Sequence, residues 1–215
     1  MKTTAIIPIK MNNERLPGKN TKLLGNKPLI SFIQESLLHS NGIDDIYVFC
    51  SNSDIKHYLL DGIIFLQREK ELDLPDSNFT QIFSSFMNRI DSDIYIYAHA
   101  TAPFVTVDTI NKCIWAVQSG EFDSAFCASK IQDYLWKEGK ALNFDPANLP
   151  RSQDLVPIYR ETSGVYVFNK EVFEKYRKRI GTKPYIREVS FKESIDINNP
   201  EDFRLAEIFY DKDFE

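Results

Sequence analysis

Four short stretches of the chain bring together side chains suited to phosphate and carboxylate chemistry. The first is the loop 10–20, KMNNERLPGKN, which follows the apolar run TAIIPI directly. Lys10, Arg15 and Lys19 make it basic, and Gly18 lets a ligand approach the backbone closely. Cations and backbone amides at the end of a strand form a cradle for phosphate groups. The spacing is not that of the GxxxxGK[ST] phosphate loop, and the same residues could equally form an ordinary solvated basic turn.

The second stretch is SIDIN, residues 194–198. On a strand, Asp196 and Asn198 share one face and Ile195 and Ile197 the other. A carboxylate beside an amide oxygen can hold Mg²⁺, with water and phosphate oxygens completing the octahedron. Alternatively, Asn198 only ends the strand and Asn199-Pro200 opens the next helix. In the third stretch, LPRSQDLVPIYRETSG (149–164), Arg151 and Arg160 offer two guanidinium forks for a carboxylate, or ion partners for Asp154 and Glu161. In the fourth, YAHATAPF (97–104), His99 near a strand end could contact a ligand or simply pack. No Ser/His/Asp or Cys/His arrangement has a supporting motif such as GxSxG.

These stretches must be positioned by a chain of 215 residues with 43% hydrophobic residues, enough for one domain spanning 1–215. The net charge of -5 excludes a uniformly basic nucleic-acid surface, so any polyanion site must be a local patch. Cys50, Cys113 and Cys127 are an odd number at irregular spacing, which fits buried free thiols in a reducing cytoplasm better than a zinc site. The apolar run in MKTTAIIPIK is too short for a signal peptide or a membrane span, and no longer one exists. A cytoplasmic protein without a membrane partner is expected.

Strand-like runs at 4–9, 45–51, 62–68, 93–100 and 123–130 alternate with helical spacing at 28–40, 53–60, 76–90 (with an Asp or Ser cap) and 106–120. This alternation predicts an α/β fold with a mostly parallel sheet and helices on both faces. The regularity breaks over 131–160, which carries Pro146, Pro150 and Pro157. A strand at 164–168, a helix at 170–179 with a basic end complementing its dipole, a strand-like 186–198 and a helix at 200–210 complete the chain.

In their order and spacing these stretches resemble the acylneuraminate cytidylyltransferases, the CMP-sialic acid (nonulosonic acid) synthetase family, over nearly the whole chain. The stretches that carry the resemblance are IIPIKMNNERLPGKN, HATAPFV, RSQDLVPIYRETSGVYVF and SIDINNPED. The resemblance implies a Rossmann-like, three-layer nucleotidyltransferase fold with a protruding dimerisation arm at 131–160. It also implies CTP and an acidic sugar as substrates, Mg²⁺ as cofactor, and a homodimer whose arm completes the neighbour's acceptor site. Lys19, Lys10 and Asp196 would be catalytic. Arg15, Gly18, Asn20, Arg68, and Ser77 or Thr80 would meet the nucleotide. His99, Arg151, Gln153 and Arg160 would meet the acceptor, and Asp196 with Asn198 the metal. The product would feed surface-glycan synthesis. Tyr134, Leu135 and Trp136 would form the dimer interface or pack on their own subunit.

The sequence departs from the family pattern at four places. The first loop has NER where the family has SKG, His99 stands for a glutamine, Val105 for an arginine, and Asn198 for a second metal aspartate. These leave the acceptor open. Rival readings are a CDP-linked product made from a phosphorylated small molecule, and a non-catalytic nucleotide-binding protein. A glycosyltransferase of related architecture is a further rival, although the Asp91-Ser92-Asp93 triplet precedes its strand instead of ending it.

Overall fold

The computed structural model describes residues 1–211. Its centre is a seven-stranded sheet: β1 (Thr3–Ile9), β2 (Asp45–Cys50), β3 (Ile63–Gln67), β4 (Ile94–Ala98), β5 (Ser124–Ile131), β6 (Ile158–Asn169) and β7 (Pro184–Glu188), in the spatial order β7-β5-β6-β4-β1-β2-β3. All neighbours pair in parallel except β6, which runs antiparallel to β4 and β5. From β1 the chain first builds outward through β2 and β3, then returns to place β4 on the other side of β1. That reversal opens a crevice at the carboxyl ends of β1 and β4, where open α/β sheets bind ligands.

Both faces of the sheet are covered, which is why β1 reads as a continuous apolar run. Ala5, Ile7 and Ile9 pack with Ile30, Ile33 and Leu37 of α1 (Leu29–Leu38) and Ile110, Ile114 and Val117 of α3 (Val107–Gln118). Ile6, on the opposite face, joins Phe83 and Phe86 of α2 (Phe79–Met87) and Phe173 of α4 (Lys170–Tyr176). This second layer is aromatic, and most of its rings meet edge-on: Phe83 and Phe173 lie 4.6 Å apart at 77°, an arrangement that ring quadrupoles favour. A smaller cluster seats α5 (Pro200–Asp211) through Phe203 and Ala206 against Leu24, Leu29 and Ile197. Gly25 sits beneath it at a φ of +63°, and a Cβ there would meet the Tyr210 ring at 1.9 Å.

Some boundaries differ from the sequence expectation. Helix α2 starts at Phe79, because Asn78 and Gln81 form a reciprocal capping box that displaces Asp76 or Ser77 as the cap. Residues 53–58 form 3₁₀ turns, not an α-helix. Helix α4 stops at Tyr176 where Arg177 turns left-handed at a φ of 55°, so Lys178 and Arg179 lie beyond its end and do not serve its dipole. The strand at 186–198 ends at Glu188. Glu193 stands where the alternation of Val189, Phe191, Ile195 and Ile197 calls for an apolar residue, and Asn198 and Asn199 donate their backbone N–H groups to Asp202, capping α5 instead of extending a ladder. Asp196 and Asn198 therefore sit in a loop.

Of the segment 131–160, Ile131 and residues 158–160 pair within the sheet, and only 132–157 lie outside it. Trp136–Lys137 and Lys140–Ala141 pair as a hairpin, closed by Glu138 and Gly139 at φ 52° and 76°, the left-handed pair of a tight two-residue turn. All three cysteines are buried and free. Among the described residues no helix is long and apolar enough to cross a membrane.

Candidate active site

The first loop is pinned from inside. Gly18 adopts a φ of 67°, which turns the chain into the single 3₁₀ turn Lys19–Thr21. Asn20 is buried, and its Nδ2 donates to the Lys10 carbonyl at 2.8 Å. It thus ties the two ends of the loop together. Lys19 is also buried, and its Nζ donates to the Ile197 carbonyl at 2.7 Å. Burial holds the Lys19 ammonium below the usual lysine range; the Asp196 charge opposes that shift and Arg15 adds to it. The cation and the loop 194–198 are therefore built as one unit.

That loop is in turn docked on the loop after β4. Ile197 N donates to Thr101 O at 2.8 Å, and the Thr101 hydroxyl donates to Asp196 Oδ1 at 2.5 Å. Asn198 Nδ2 donates to Asp196 Oδ2 at 2.8 Å, while Asn198 Oδ1 accepts from Arg15 Nη2 at 3.0 Å. The chain brings Lys10, Arg15, Lys19, Asp196 and Asn198 to one end of the sheet as expected, although it uses loops throughout. Thr101 was not foreseen; its only signal is a hydroxyl two residues past His99 at the switch point.

Three clefts open around these groups. One of about 680 Å³ runs between Lys10, Asn12 and Glu14 of the first loop and Ser51, Gln67 and Asp73 beyond β2 and β3. A second, of about 280 Å³, shares Lys10, Asn12, Glu14 and Pro75 with it and adds Arg15, Lys19 and Asn198. The third, of about 290 Å³, lies on the far side of Asp196 and is walled by Arg160, Glu161, Ser163 and Asp202. The second gathers Lys10, Arg15 and Lys19, charge suited to a chain of phosphates; the third sets the Arg160 guanidinium among the carboxylates of Glu161, Asp196 and Asp202.

Other expected residues sit further back. Arg68 is buried behind the large cleft, pairs with Asp73, and leaves its Nε without a hydrogen-bond partner. Asp73, which also accepts from Ser51, is what the cleft sees of this pair. The Ser77 hydroxyl donates to Glu71 O at 3.2 Å, and the Thr80 hydroxyl to Arg177 O at 3.1 Å on the α4 side. Arg151 is exposed and forms an ion pair with Asp154 at 2.8 Å. Gln153 lies beside it, its carbonyl accepting from Gln132. Neither lines any of these three clefts. Arg160 donates to Ser129 Oγ at 3.1 Å, and Glu161 pairs with Arg179 instead of Arg160.

His99 lies between Tyr97 and Tyr166, with ring centroids at 5.2 and 6.1 Å. Its Nε2 is buried without a partner. Burial, reinforced by the nearby Arg179 charge, lowers its pKa to about 4, so the ring is neutral at ordinary pH. Arg179 stacks on the Tyr166 ring at 3.7 Å and donates to its hydroxyl at 3.0 Å. Nothing in the sequence separated this arginine from the other basic residues of 175–183.

The donor set suits one hard cation. Asp196 accepts one hydrogen bond on each oxygen, which leaves a lone pair on each. Mg²⁺ is commonly held by one or two carboxylates, with phosphates and water as its other ligands. Among the described residues no group of three His, Cys, Asp or Glu side chains could hold a metal.

A family model described as Cytidylyltransferase matches residues 4–213. An N-acylneuraminate cytidylyltransferase of Streptococcus agalactiae is 24% identical over 224 residues, covering 98% of this chain and 54% of that protein. An 8-amino-3,8-dideoxy-manno-octulosonate cytidylyltransferase of Shewanella pealeana is 24% identical over 196 residues, covering 83% of this chain and 79% of that one. The chain thus spans about half the length of the N-acylneuraminate relatives it matches. The solved CMP:2-keto-3-deoxy-manno-octonic acid synthetase in complex with CTP superposes with a TM-score of 0.73 at 16% identity, covering 99% of this chain and all of that one.

Proposed function

The chain belongs to the cytidylyltransferase family, and from that footing we propose that it transfers CMP from CTP to a hydroxyl of an acidic sugar, a nonulosonic or related 2-keto-3-deoxy acid, releasing pyrophosphate. The observation that carries this reading is the convergence of Lys10, Arg15 and Lys19 on one cleft wall beside the Asp196 loop. An arginine-bearing cleft lies across Asp196 from it. The acceptor hydroxyl attacks the α-phosphorus in line; an oxygen–phosphorus bond forms as the bond to the departing pyrophosphate breaks, and the hydroxyl proton passes to solvent. Little covalent work falls to the protein, so catalysis is positioning and charge stabilisation.

Lys19, fixed by Ile197, and the flanking Lys10 and Arg15 neutralise the triphosphate. The large cleft beyond Lys10 takes the nucleoside, with Asp73 and Ser51 at its wall. Arg160 grips the acceptor carboxylate. Mg²⁺ held by Asp196 would supply Lewis-acid charge to the phosphate oxygens and lower the pKa of the attacking hydroxyl.

The protein acts as a homodimer in this reading. The arm exposes Trp136, Leu142, Leu149 and Val156 at 59%, 54%, 62% and 78%, a surface suited to a second copy. Arg151 and Gln153 would then serve the neighbour's acceptor site. The product is a precursor for surface glycans, made in the cytoplasm.

The first test is thermal stabilisation by CTP, UTP, ATP and GTP, each with Mg²⁺. A nucleotide at a hundredfold its dissociation constant adds about 2.7 kcal/mol of stability. Selective stabilisation by CTP supports the reading, and preference for another nucleotide refutes the cytidylyl assignment. Mass spectrometry of reactions with acidic sugars then separates a CMP-linked from a CDP-linked product.

A further inference from the structure

Asn198 stands between two charges of opposite sign. Its Oδ1 accepts from Arg15 Nη2 at 3.0 Å, and its Nδ2 donates to Asp196 Oδ2 at 2.8 Å. A guanidinium can only donate and a carboxylate can only accept, so an amide is the group that links them, and in one orientation. Its backbone is fixed as well, since Asn198 N donates to Asp202 at 2.8 Å. The amide oxygen therefore faces a cation that belongs to the chain itself.

An aspartate at this position would place two carboxylates side by side and call for additional divalent charge between them. Here one negative charge is removed and one positive charge is supplied, by a side chain that lines the same cleft as Lys10 and Lys19. We propose that Arg15, seated on Asn198, delivers to the triphosphate the charge that a second carboxylate-bound cation would otherwise bring, so that the site works with a single divalent ion at Asp196. This rests on the cytidylyl-transfer reading. It makes Arg15 a nucleotide-binding residue whose contribution persists without metal, and it makes Asn198 its positioning residue.

The test is CTP binding by isothermal titration in EDTA, together with Mn²⁺ bound per protein-bound CTP, counted by electron paramagnetic resonance. Wild type should bind CTP in EDTA and take up one Mn²⁺ with it. Arg15→Met should bind CTP at least tenfold more weakly in EDTA. Arg15→Gln, which can still hydrogen-bond but carries no charge, should fall equally. Arg15 is exposed, so neither change threatens folding, and unchanged melting temperatures check this. Asn198→Asp should weaken metal-free CTP binding, by pairing Arg15, and raise the count to two Mn²⁺. Undiminished metal-free binding by Arg15→Met, or two Mn²⁺ in wild type, overturns the proposal while leaving cytidylyl transfer standing. Failure of wild type to bind CTP with or without metal overturns both.

Discussion

Lys19 Nζ donates to the carbonyl oxygen of Ile197 at 2.7 Å, across 178 residues of chain. The bond joins the loop after the first strand to the loop before the last helix. It holds the ammonium beside Asp196, so the cation is set in place before any ligand arrives.

Lys19→Met should therefore affect both function and stability. Turnover with CTP should fall by at least about a hundredfold, as when a preorganised charge contact is lost. The Ile197 carbonyl loses its buried donor, which should cost about 1–2 kcal/mol in denaturant unfolding. Near-normal turnover would remove Lys19 from the reaction.

Asp196→Asn should separate metal use from folding. The side chain can still accept from Thr101 but no longer from Asn198 Nδ2, so the stability loss should be confined to one hydrogen bond, roughly 1 kcal/mol. Stabilisation by CTP with Mg²⁺ should drop to the level seen in EDTA, with turnover down about a hundredfold or more. Retained Mg²⁺ dependence would place the ion elsewhere.

His99 should make the protein acid-sensitive. Its pKa is held at about 4 in the fold, against 6.5 for an ordinary histidine. Between those values the unfolded state binds the extra proton, so stability rises with pH through that window and falls on acidification. Each unit there is worth up to about 1.4 kcal/mol. His99→Gln should flatten the dependence of melting temperature on pH between about 4 and 6.5. An unchanged slope would mean that other groups set it.

Trp136→Glu should split the proposed dimer. Light scattering at micromolar concentration should give a dimer for wild type and a monomer for the variant. The acceptor KM should rise with the split, while CTP affinity changes little. A wild-type monomer would discard the arm's role.

Gly25→Ala should destabilise by about 1–3 kcal/mol, because the new methyl meets the Tyr210 ring at a left-handed backbone position. An unchanged unfolding midpoint would show that α5 shifts freely over this turn.

The layered fold was legible because helical and strand periodicities alternate at close spacing, and because a sheet covered on both faces leaves runs such as TAIIPI without polar alternation. The SIDIN loop was misread as a strand for the same reason: Ile195 and Ile197 alternate like strand residues, yet they face a small cluster under α5. The cap at Asn78 was hidden by two competing polar residues just before it. Arg179 was unreadable, since its partners Glu161 and Tyr166 lie on β6 and only tertiary packing brings them together. The direction of β6 was equally invisible, because period-two alternation is the same for either orientation.

Strand β6 changes register between Glu161 and Tyr166. On one side of that break, Val165, Tyr166, Val167 and Phe168 are locked in the core; on the other, Arg160, Glu161 and Ser163 wall the cleft beyond Asp196. The other two clefts are lined by residues between 10 and 75, with Asn198 of the Asp196 loop added. Substitutions at 160–163 can thus reshape one partner's pocket while the irregular register absorbs the backbone change. If the proposed reaction holds, such a division would let a lineage keep its donor and explore new acceptors, a form of evolvability written into a single strand.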